Sequence, residues 1–120
     1  MRRILSVDDE LDILFTRQLV LEEAGYEVLS ASNGRQALAC FDALAVDLVV
    51  LDFRMPGMDG NIVAREMKQR RPSVPILMVS GDFVDMDCLA RTDRFLAKGH
   101  SSEALLREVE QLLVPALRRR

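Results

Sequence analysis

At the centre of the chain stands the stretch Leu48-Val49-Val50-Leu51-Asp52-Phe53-Arg54-Met55-Pro56-Gly57-Met58-Asp59-Gly60. It begins with an apolar run, which is typical of a strand buried on both faces of a sheet. Asp52 ends this run, and Pro56, Gly57 and Gly60 then interrupt regular structure and predict a loop. We therefore expect one carboxylate at the carboxyl end of a central strand, where open α/β sheets bind their ligands.

Two further carboxylates follow another predicted strand. Residues 3–7 form a short apolar segment that runs directly into Asp8 and Asp9. If the two strands are parallel neighbours, Asp8, Asp9 and Asp52 converge at one sheet edge, and their mutual repulsion favours a hard divalent cation such as Mg²⁺. Asp8 and Asp9 also suit the first turn of the following helix, because Asp is favoured at helix N-termini, so this alternative stays open.

Two more strand ends carry polar side chains. The apolar segment at residues 74–79 ends in Ser80 and Gly81, and the segment at residues 94–97 leads into Lys98. Together with the acidic residues, these ends offer a metal site, a nucleophilic carboxylate, a hydroxyl and a cation. This set suits phosphoryl transfer to a carboxylate, in which positioning and charge neutralisation do most of the catalysis.

The composition is that of one folded domain. The chain has 120 residues, 49% of them hydrophobic, and we expect a single domain over residues 1–120 with a frayed end at 115–120. The formal net charge of -3 argues against direct nucleic-acid binding.

Cys40 and Cys88 lie in apolar segments and are expected to be buried thiols in a reducing compartment. The sequence shows neither a signal peptide nor a membrane-spanning run, so the cytoplasm is the expected location, without membrane contact.

Strand and helix patterns alternate along the chain. Strands are predicted at residues 3–7, 26–31, 48–51, 76–79 and 94–96. Helices are predicted at residues 11–24, 35–43, 61–70 and 82–92, followed by a last helix that Ser101 or Ser102 caps. The helix at 82–92 is the weakest of these, because Asp85 and Asp87 are poor helix formers. The alternation predicts an α/β fold, a parallel sheet with helices on both faces.

These motifs, in this order, resemble the receiver domain of bacterial two-component response regulators, of the single-domain chemotaxis type. The resemblance covers the whole chain and rests on Val7, Asp8, Asp9, Asp52, residues 55–60, Ser80, Gly81, Phe95 and Lys98. It implies a flavodoxin-like (βα)5 fold whose five parallel strands lie in the order 2-1-3-4-5. It also implies a phospho-acceptor switch of a phosphorelay, with Mg²⁺ as cofactor. A sensor histidine kinase or a histidine phosphotransfer protein would donate the phosphoryl group from a phosphohistidine.

The resemblance assigns roles to the acidic residues. Asp52 is the expected phospho-acceptor, and the later hydrolysis makes the domain an enzyme only in the sense that it modifies itself. Asp9, Asp52 and the backbone carbonyl of Arg54 are the expected direct ligands of Mg²⁺, which needs few protein ligands because it keeps several waters. Asp8 is expected to act through water.

The resemblance also assigns roles to residues around the acceptor. Lys98 is expected to reach the Asp52 carboxylate and then a phosphoryl oxygen, as a compact point charge can. Ser80 would donate a hydrogen bond to the phosphoryl group, and Gly81 keeps the approach open. Phe95 occupies the aromatic switch position and would turn inward as Ser80 moves, although a fixed aromatic in an edge strand is an equal alternative. His100, the single histidine, is expected to be a loop residue.

The sequence departs from the family pattern in two places. Gly99 follows Lys98, where the family usually has a proline and often a cis bond. A cis bond without proline costs about 2.5–4 kcal/mol, so we expect a trans bond or a rearranged loop. Ser80 and Lys98 are also closer in sequence than in most receivers, which implies a shortened fourth helix. That helix belongs to the usual output surface, so output through this surface is a weaker expectation.

One face of the first predicted helix suggests a docking surface. Ile13, Val20, Leu21 and Ala24 share a face that we expect to be the core face, with Leu14 at its edge. Leu11, Phe15 and Leu19 then point outward and form an apolar stripe. We expect this stripe to meet helices of the phosphodonor or a second copy of the domain. Output itself is expected to be contact with a downstream protein of unknown identity.

Two charged residues are expected to control access to the acceptor. Arg54 lies two residues after Asp52, and Asp82 lies two residues after Ser80. Arg54 would block the water that hydrolyses the phosphoryl bond, and Asp82 would pair with Arg54. The alternative is a pair of solvated loop charges.

Two other functions stay open on the residues alone. A small phosphohydrolase with an Asp nucleophile usually carries a second Asp two residues on, where this chain has Arg54. A receiver-like scaffold that is never phosphorylated is disfavoured by the complete set of acidic residues, hydroxyl and lysine.

Overall fold

The computed structural model describes residues 1–81 and 92–114, and strands and helices alternate through them. The strands are β1 (Arg3–Val7), β2 (Glu27–Ala31), β3 (Leu48–Asp52), β4 (Ile76–Ser80) and β5 (Arg94–Ala97). The helices are α1 (Leu11–Glu23), α2 (Gly34–Ala43), α3 (Gly60–Arg70) and α4 (Ser102–Leu112). The helix predicted at 82–92, the frayed end at 115–120, Asp82 and Cys88 lie outside the described residues.

The five strands form one parallel sheet in the order β2-β1-β3-β4-β5, as predicted. In its register Val7 lies opposite Leu51, so the residues that follow β1 meet the end of β3. Ser80 lies opposite Ala97, the residue before Lys98. The register therefore brings the predicted site residues to one edge of the sheet.

Two apolar layers cover the faces of the sheet. One layer joins β-strand residues to α2 and α3 through buried side chains such as Phe41, Val63 and Met67. The other joins the opposite face to α1 and α4 through Leu21, Leu105 and their neighbours. Cys40 is half-buried rather than fully buried, because it packs at the margin of the first layer. None of the helices within 1–81 and 92–114 has the length and apolar character needed to cross a membrane.

Side-chain caps fix where three helices begin. Asn33 accepts a hydrogen bond from the Gln36 amide before α2, and Asp59 accepts one from the Ile62 amide before α3. Ser101, rather than Ser102, caps α4 by accepting from the Ala104 amide at 3.0 Å. Each cap pairs a backbone donor that the helix itself leaves unpaired.

The inner face of α1 differs from the prediction. Leu14, Arg17 and Leu21 are buried, whereas Ile13 and Val20 are half-buried and Ala24 is exposed. The predicted core face was correct for Leu21, partly correct for Val20, which packs against the core, and wrong for Ala24. The reason is that α1 is apolar around much of its circumference and its inner face includes an arginine. The outward face was predicted correctly, since Leu11, Phe15 and Leu19 are 69%, 64% and 52% exposed.

Candidate functional site

Three carboxylates meet where β1 and β3 end. Asp8, Asp9 and Asp52 each place one oxygen so that all three oxygens lie within 4.8 Å of one another. Asp8 and Asp52 are fully buried, and Asp9 is exposed. The predicted convergence is observed, and it follows from the register that sets Val7 beside Leu51. Asp8 does not cap α1, because its Oδ1 accepts from the amide of Glu10, the residue that precedes the helix.

Asp52 is a buried carboxylate whose negative charge is only partly compensated by neighbouring groups. Within the described part of the chain, neither of its oxygens accepts a well-aligned hydrogen bond. Lys98 Nζ lies 3.2 Å from Asp52 Oδ1 as an ion pair. Burial, followed by the charge of Asp8, raises the pKa of Asp52 to about 6, and Lys98 offsets part of this shift. The charged form of Asp52 thus stands at a site where a further cation would stabilise it.

The position of Lys98 is fixed by its backbone. Its amide donates to the Ser80 carbonyl at 3.1 Å, continuing the pairing of β5 with β4. Peptide bonds among the described residues are trans, and Gly99 adopts a φ of +85°, which a glycine reaches without strain. The side chain also lies 3.6 Å from Glu10 Oε1. Burial acts to lower the pKa of Lys98, but the attractions to Asp52, Asp8 and Glu10 together outweigh it and the pKa is raised.

The family model of the response regulator receiver domain matches residues 4–110. The chain belongs to this family. As a receiver domain of two-component response regulators, it is a phosphorylatable signalling switch. Receiver domains of response regulators interact with histidine kinases and downstream effectors.

Sequence relatives include longer regulators. The alkaline phosphatase synthesis transcriptional regulatory protein PhoP of Bacillus subtilis is 38% identical over 86 residues, which are 72% of this chain and 36% of PhoP. The sensory transduction protein RegX3 of Mycobacterium tuberculosis is 30% identical over 117 residues, which are 94% of this chain and 51% of RegX3. The chain therefore spans between 36% and 51% of the length of these curated relatives.

Solved structures show the same fold. The chemotaxis protein CheY4 of Vibrio cholerae has a TM-score of 0.89 at 29% identity and covers 94% of this chain and 99% of its own. The response regulator TrrA of Thermotoga maritima, solved in complex with Mg²⁺-BeF, has a TM-score of 0.88 at 34% identity. It covers 94% of this chain and 100% of its own.

The acidic cluster of the receiver domain fits a metal ion. It consists of carboxylate oxygens, the donors that Mg²⁺ prefers, and both Asp52 oxygens are buried without an aligned donor among the described residues. Asp9 faces solvent, which leaves one side open to the waters that Mg²⁺ retains. The cluster could therefore hold a divalent cation.

Arg17 joins this cluster, although its sequence position did not predict a place in the site. The side chain is 4% exposed, and its Nη2 lies 3.4 Å from Asp8 Oδ2. Its Nη1 donates to Ser6 Oγ at 3.2 Å. The spacing of Leu14, Arg17 and Leu21 was the available signal, because residues three and four apart share a helix face.

The remaining predicted site residues lie at the ends of β3 and β4 and in β5. Ser80 is half-buried at the end of β4, and Gly81 is exposed beside Lys98, whose Cβ would lie 3.4 Å from a Cβ added at Gly81. Phe95 is half-buried and packs against the layer that contains α2 and α3. Arg54 is exposed in the loop after β3.

Two close approaches shape the loop after Asp52. The Gly60 amide donates to the Phe53 carbonyl at 2.7 Å, and a Cβ on Gly60 would lie 2.7 Å from the Asp52 carbonyl oxygen. Glycine therefore allows α3 to start directly against the end of β3.

His100 lies in the loop before α4, as predicted, with its Nδ1 3.1 Å from the Ser101 carbonyl oxygen.

Proposed function

We propose that Asp52 is the residue that accepts the phosphoryl group. One observation carries this proposal: Asp52 ends the central strand as a fully buried carboxylate whose oxygens lack aligned donors among the described residues. A carboxylate in this state keeps its lone pairs available for attack. Lys98, 3.2 Å away, supplies a positive charge beside it. Belonging to the receiver family supports the same role.

We propose Mg²⁺ as the cofactor. Asp9, Asp52 and the backbone carbonyl of Arg54 would bind it directly, and Asp8 would act through water. When bound, the ion supplies positive charge that reduces repulsion between the carboxylates and an approaching anionic phosphoryl group. The convergence of the Asp8, Asp9 and Asp52 oxygens supports this assignment.

Each side chain of the site then has its own role in phosphoryl transfer. An Asp52 oxygen attacks the phosphorus of a phosphohistidine, the new O–P bond forms, and the P–N bond breaks with its electrons going to the histidine nitrogen. Lys98 pairs with the charge on the acceptor and then with a phosphoryl oxygen. The Ser80 hydroxyl donates to another phosphoryl oxygen. Hydrolysis by water later breaks the O–P bond and releases phosphate, so the domain acts as a catalyst on itself.

The partners follow from the family. We propose a sensor histidine kinase or a histidine phosphotransfer protein as donor and output by protein–protein contact, without direct nucleic-acid binding by this domain and within the cytoplasm. Residues 1–120 would form one receiver domain. Ser80 and Phe95 would report the phosphorylated state together, with Phe95 turning further into the layer that it already touches.

Mass spectrometry of the intact protein tests the acceptor. The protein is incubated with Mg²⁺ and acetyl phosphate, and the parent is expected to gain one phosphoryl group. Asp52→Asn is expected to gain none, since an amide is not a comparable nucleophile. Asp47→Asn is the matched control, because Asp47 is exposed and binds the Arg3 amide, and it should be phosphorylated like the parent. A full phosphoryl adduct on Asp52→Asn would overturn the assignment.

A further inference from the structure

Arg17 is a buried cation built into the edge of the acidic cluster. It comes from α1, and its two guanidinium nitrogens contact Asp8 Oδ2 at 3.4 Å and Ser6 Oγ at 3.2 Å. Ser6 and Asp8 are fully buried on β1 and directly after it. The three side chains thus form a buried ion pair and a buried hydrogen bond at the edge of the cluster, whereas Asp9 is exposed.

Burying a charged arginine is unfavourable unless its charge is compensated. Burial lowers the pKa of Arg17 below its usual value, while the Asp8 and Asp52 carboxylates act in the opposite direction. An arginine guanidinium stays protonated at neutral pH even so. An apolar side chain would suit the same helix face, which otherwise buries Leu14 and Leu21. Packing alone therefore does not account for an arginine here.

Arg17 changes the net charge of the acidic cluster. Asp8, Asp9 and Asp52 carry three negative charges, and Lys98 and Arg17 bring two positive charges to them. These five groups retain a single negative charge, whereas the same site without Arg17 would carry two. The affinity of oxygen-ligand sites for hard divalent cations rises with the negative charge of the ligand set.

We propose that Arg17 is a positioning residue that holds Asp8 and, as an internal counter-ion, lowers the affinity of the acidic cluster for Mg²⁺. This inference rests on the proposed function, since it concerns the same cation site. Arg17 replaces part of the charge compensation that the metal would otherwise provide alone. The metal-free receiver domain thereby tolerates its buried carboxylates, and its metal site fills at a higher Mg²⁺ concentration.

Calorimetric titration of Mg²⁺ into matched variants tests the proposal. Arg17→Met should bind Mg²⁺ about tenfold more tightly than the parent, because a positive charge leaves the site. Arg17→Lys keeps the charge and should stay within about threefold of the parent. Ser6→Ala removes one anchor of Arg17 but no charge, and it should also stay within about threefold. Arg65→Met removes an exposed arginine of α3 and controls for net charge.

Thermal unfolding separates this role from simple packing. Arg17→Met should lower the melting temperature of the metal-free protein more than that of the Mg²⁺-saturated protein, because the ion then compensates Asp8. Equal losses in both states, or an unchanged Mg²⁺ affinity in Arg17→Met, would overturn the inference. If Arg17→Met does not fold, Arg17→Gln is titrated instead, with the same tightening expected. A parent that binds no Mg²⁺ at all would instead overturn the proposed function, and this inference with it.

Discussion

We predict that the side chain of Arg54 blocks water from reaching the phosphorylated Asp52. It is exposed in the loop after Asp52 and lines a cavity of about 420 Å³ together with Asp9 and Asp59. We expect Arg54→Ala to shorten the lifetime of the phosphorylated form about fivefold, which corresponds to a barrier lower by about 1 kcal/mol. The decay of the phosphorylated protein, followed by intact mass after donor removal, measures this. A lifetime equal to or longer than that of the parent would refute blocking by Arg54. Asp82, its predicted partner, lies outside the described residues.

The metal assignment separates the two neighbouring acids Asp8 and Asp9. Asp9 is exposed and is the proposed direct ligand, while Asp8 is buried and already paired with Arg17. Asp9→Ala should therefore weaken Mg²⁺ binding by about tenfold or more, and Asp8→Ala should weaken it less. Calorimetric titration of both variants provides the comparison. Unchanged affinity in Asp9→Ala would rule out its assignment as a ligand.

The site residues differ in how readily they can be predicted from the sequence. Asp52 and Lys98 stand at the ends of apolar strands, so the strand pattern predicted one sheet edge for both and the family resemblance predicted their contact. Lys98 Nζ does lie 3.2 Å from Asp52. Arg17 was missed because its role depends on a tertiary contact with Asp8 and on the rotation of α1 about its axis. A charged residue within an apolar helix is normally assigned to solvent, and only a buried partner reverses that preference.

At the scale of elements, α1 carries three large apolar side chains that are exposed on one face. Leu11, Phe15 and Leu19 form the outward stripe, and Phe15 is 64% exposed. Phe15→Ala should slow phosphoryl transfer from a partner histidine kinase about tenfold while leaving phosphorylation by acetyl phosphate unchanged, because truncating an interface anchor costs binding energy alone. Transfer rates from both donors measure this effect.

A matched variant isolates the effect of the stripe. Leu44 is also an exposed large apolar residue, at 41%, but it follows α2 rather than lying on α1. Leu44→Ala should leave both rates unchanged. A similar loss with both donors in Phe15→Ala would show that Phe15 supports the fold of the domain rather than partner docking.

Most element boundaries could be predicted because their signals are local. Alternating apolar segments, a cap at Ser101 and the glycines after Asp52 define strands, helix starts and loops within a few residues. The start of α3 at Gly60 rather than Asn61 could not be predicted in this way, since it depends on a tertiary hydrogen bond of 2.7 Å from the Gly60 amide to the carbonyl of Phe53, which follows β3. The face that α1 turns inward likewise depends on tertiary contacts, such as that of Arg17 with Asp8.

For the whole molecule, the buried charge at Asp52 should make stability depend on pH. Its pKa is raised from 3.8 to about 6 in the folded state, so between these values the unfolded chain has lost a proton that the folded protein retains. The contribution of Asp52 to stability therefore falls as pH rises through this window and stays low above it.

Asp52→Asn removes this charge and should stabilise the metal-free protein by about 1–3 kcal/mol at neutral pH, since one pKa unit corresponds to about 1.4 kcal/mol. The gain should vanish below about pH 3, where the parent's Asp52 is protonated in both states. Urea unfolding in the presence of a chelator, at both pH values, checks the prediction. The same stability difference at the two pH values would contradict it.

The parallel strand order also governs when the site can be assembled as the chain is made. β1 pairs with β3, although α1, β2 and α2 separate them in sequence, so the central pairing must close a long loop. The chain is synthesised from its N-terminus, and a domain folds as a unit. Asp8, Asp9 and Asp52 all precede β4, whereas Lys98 follows β5 at the sheet edge. Arg17 is synthesised between Asp9 and Asp52, so the nascent chain carries charge compensation well before Lys98 leaves the ribosome.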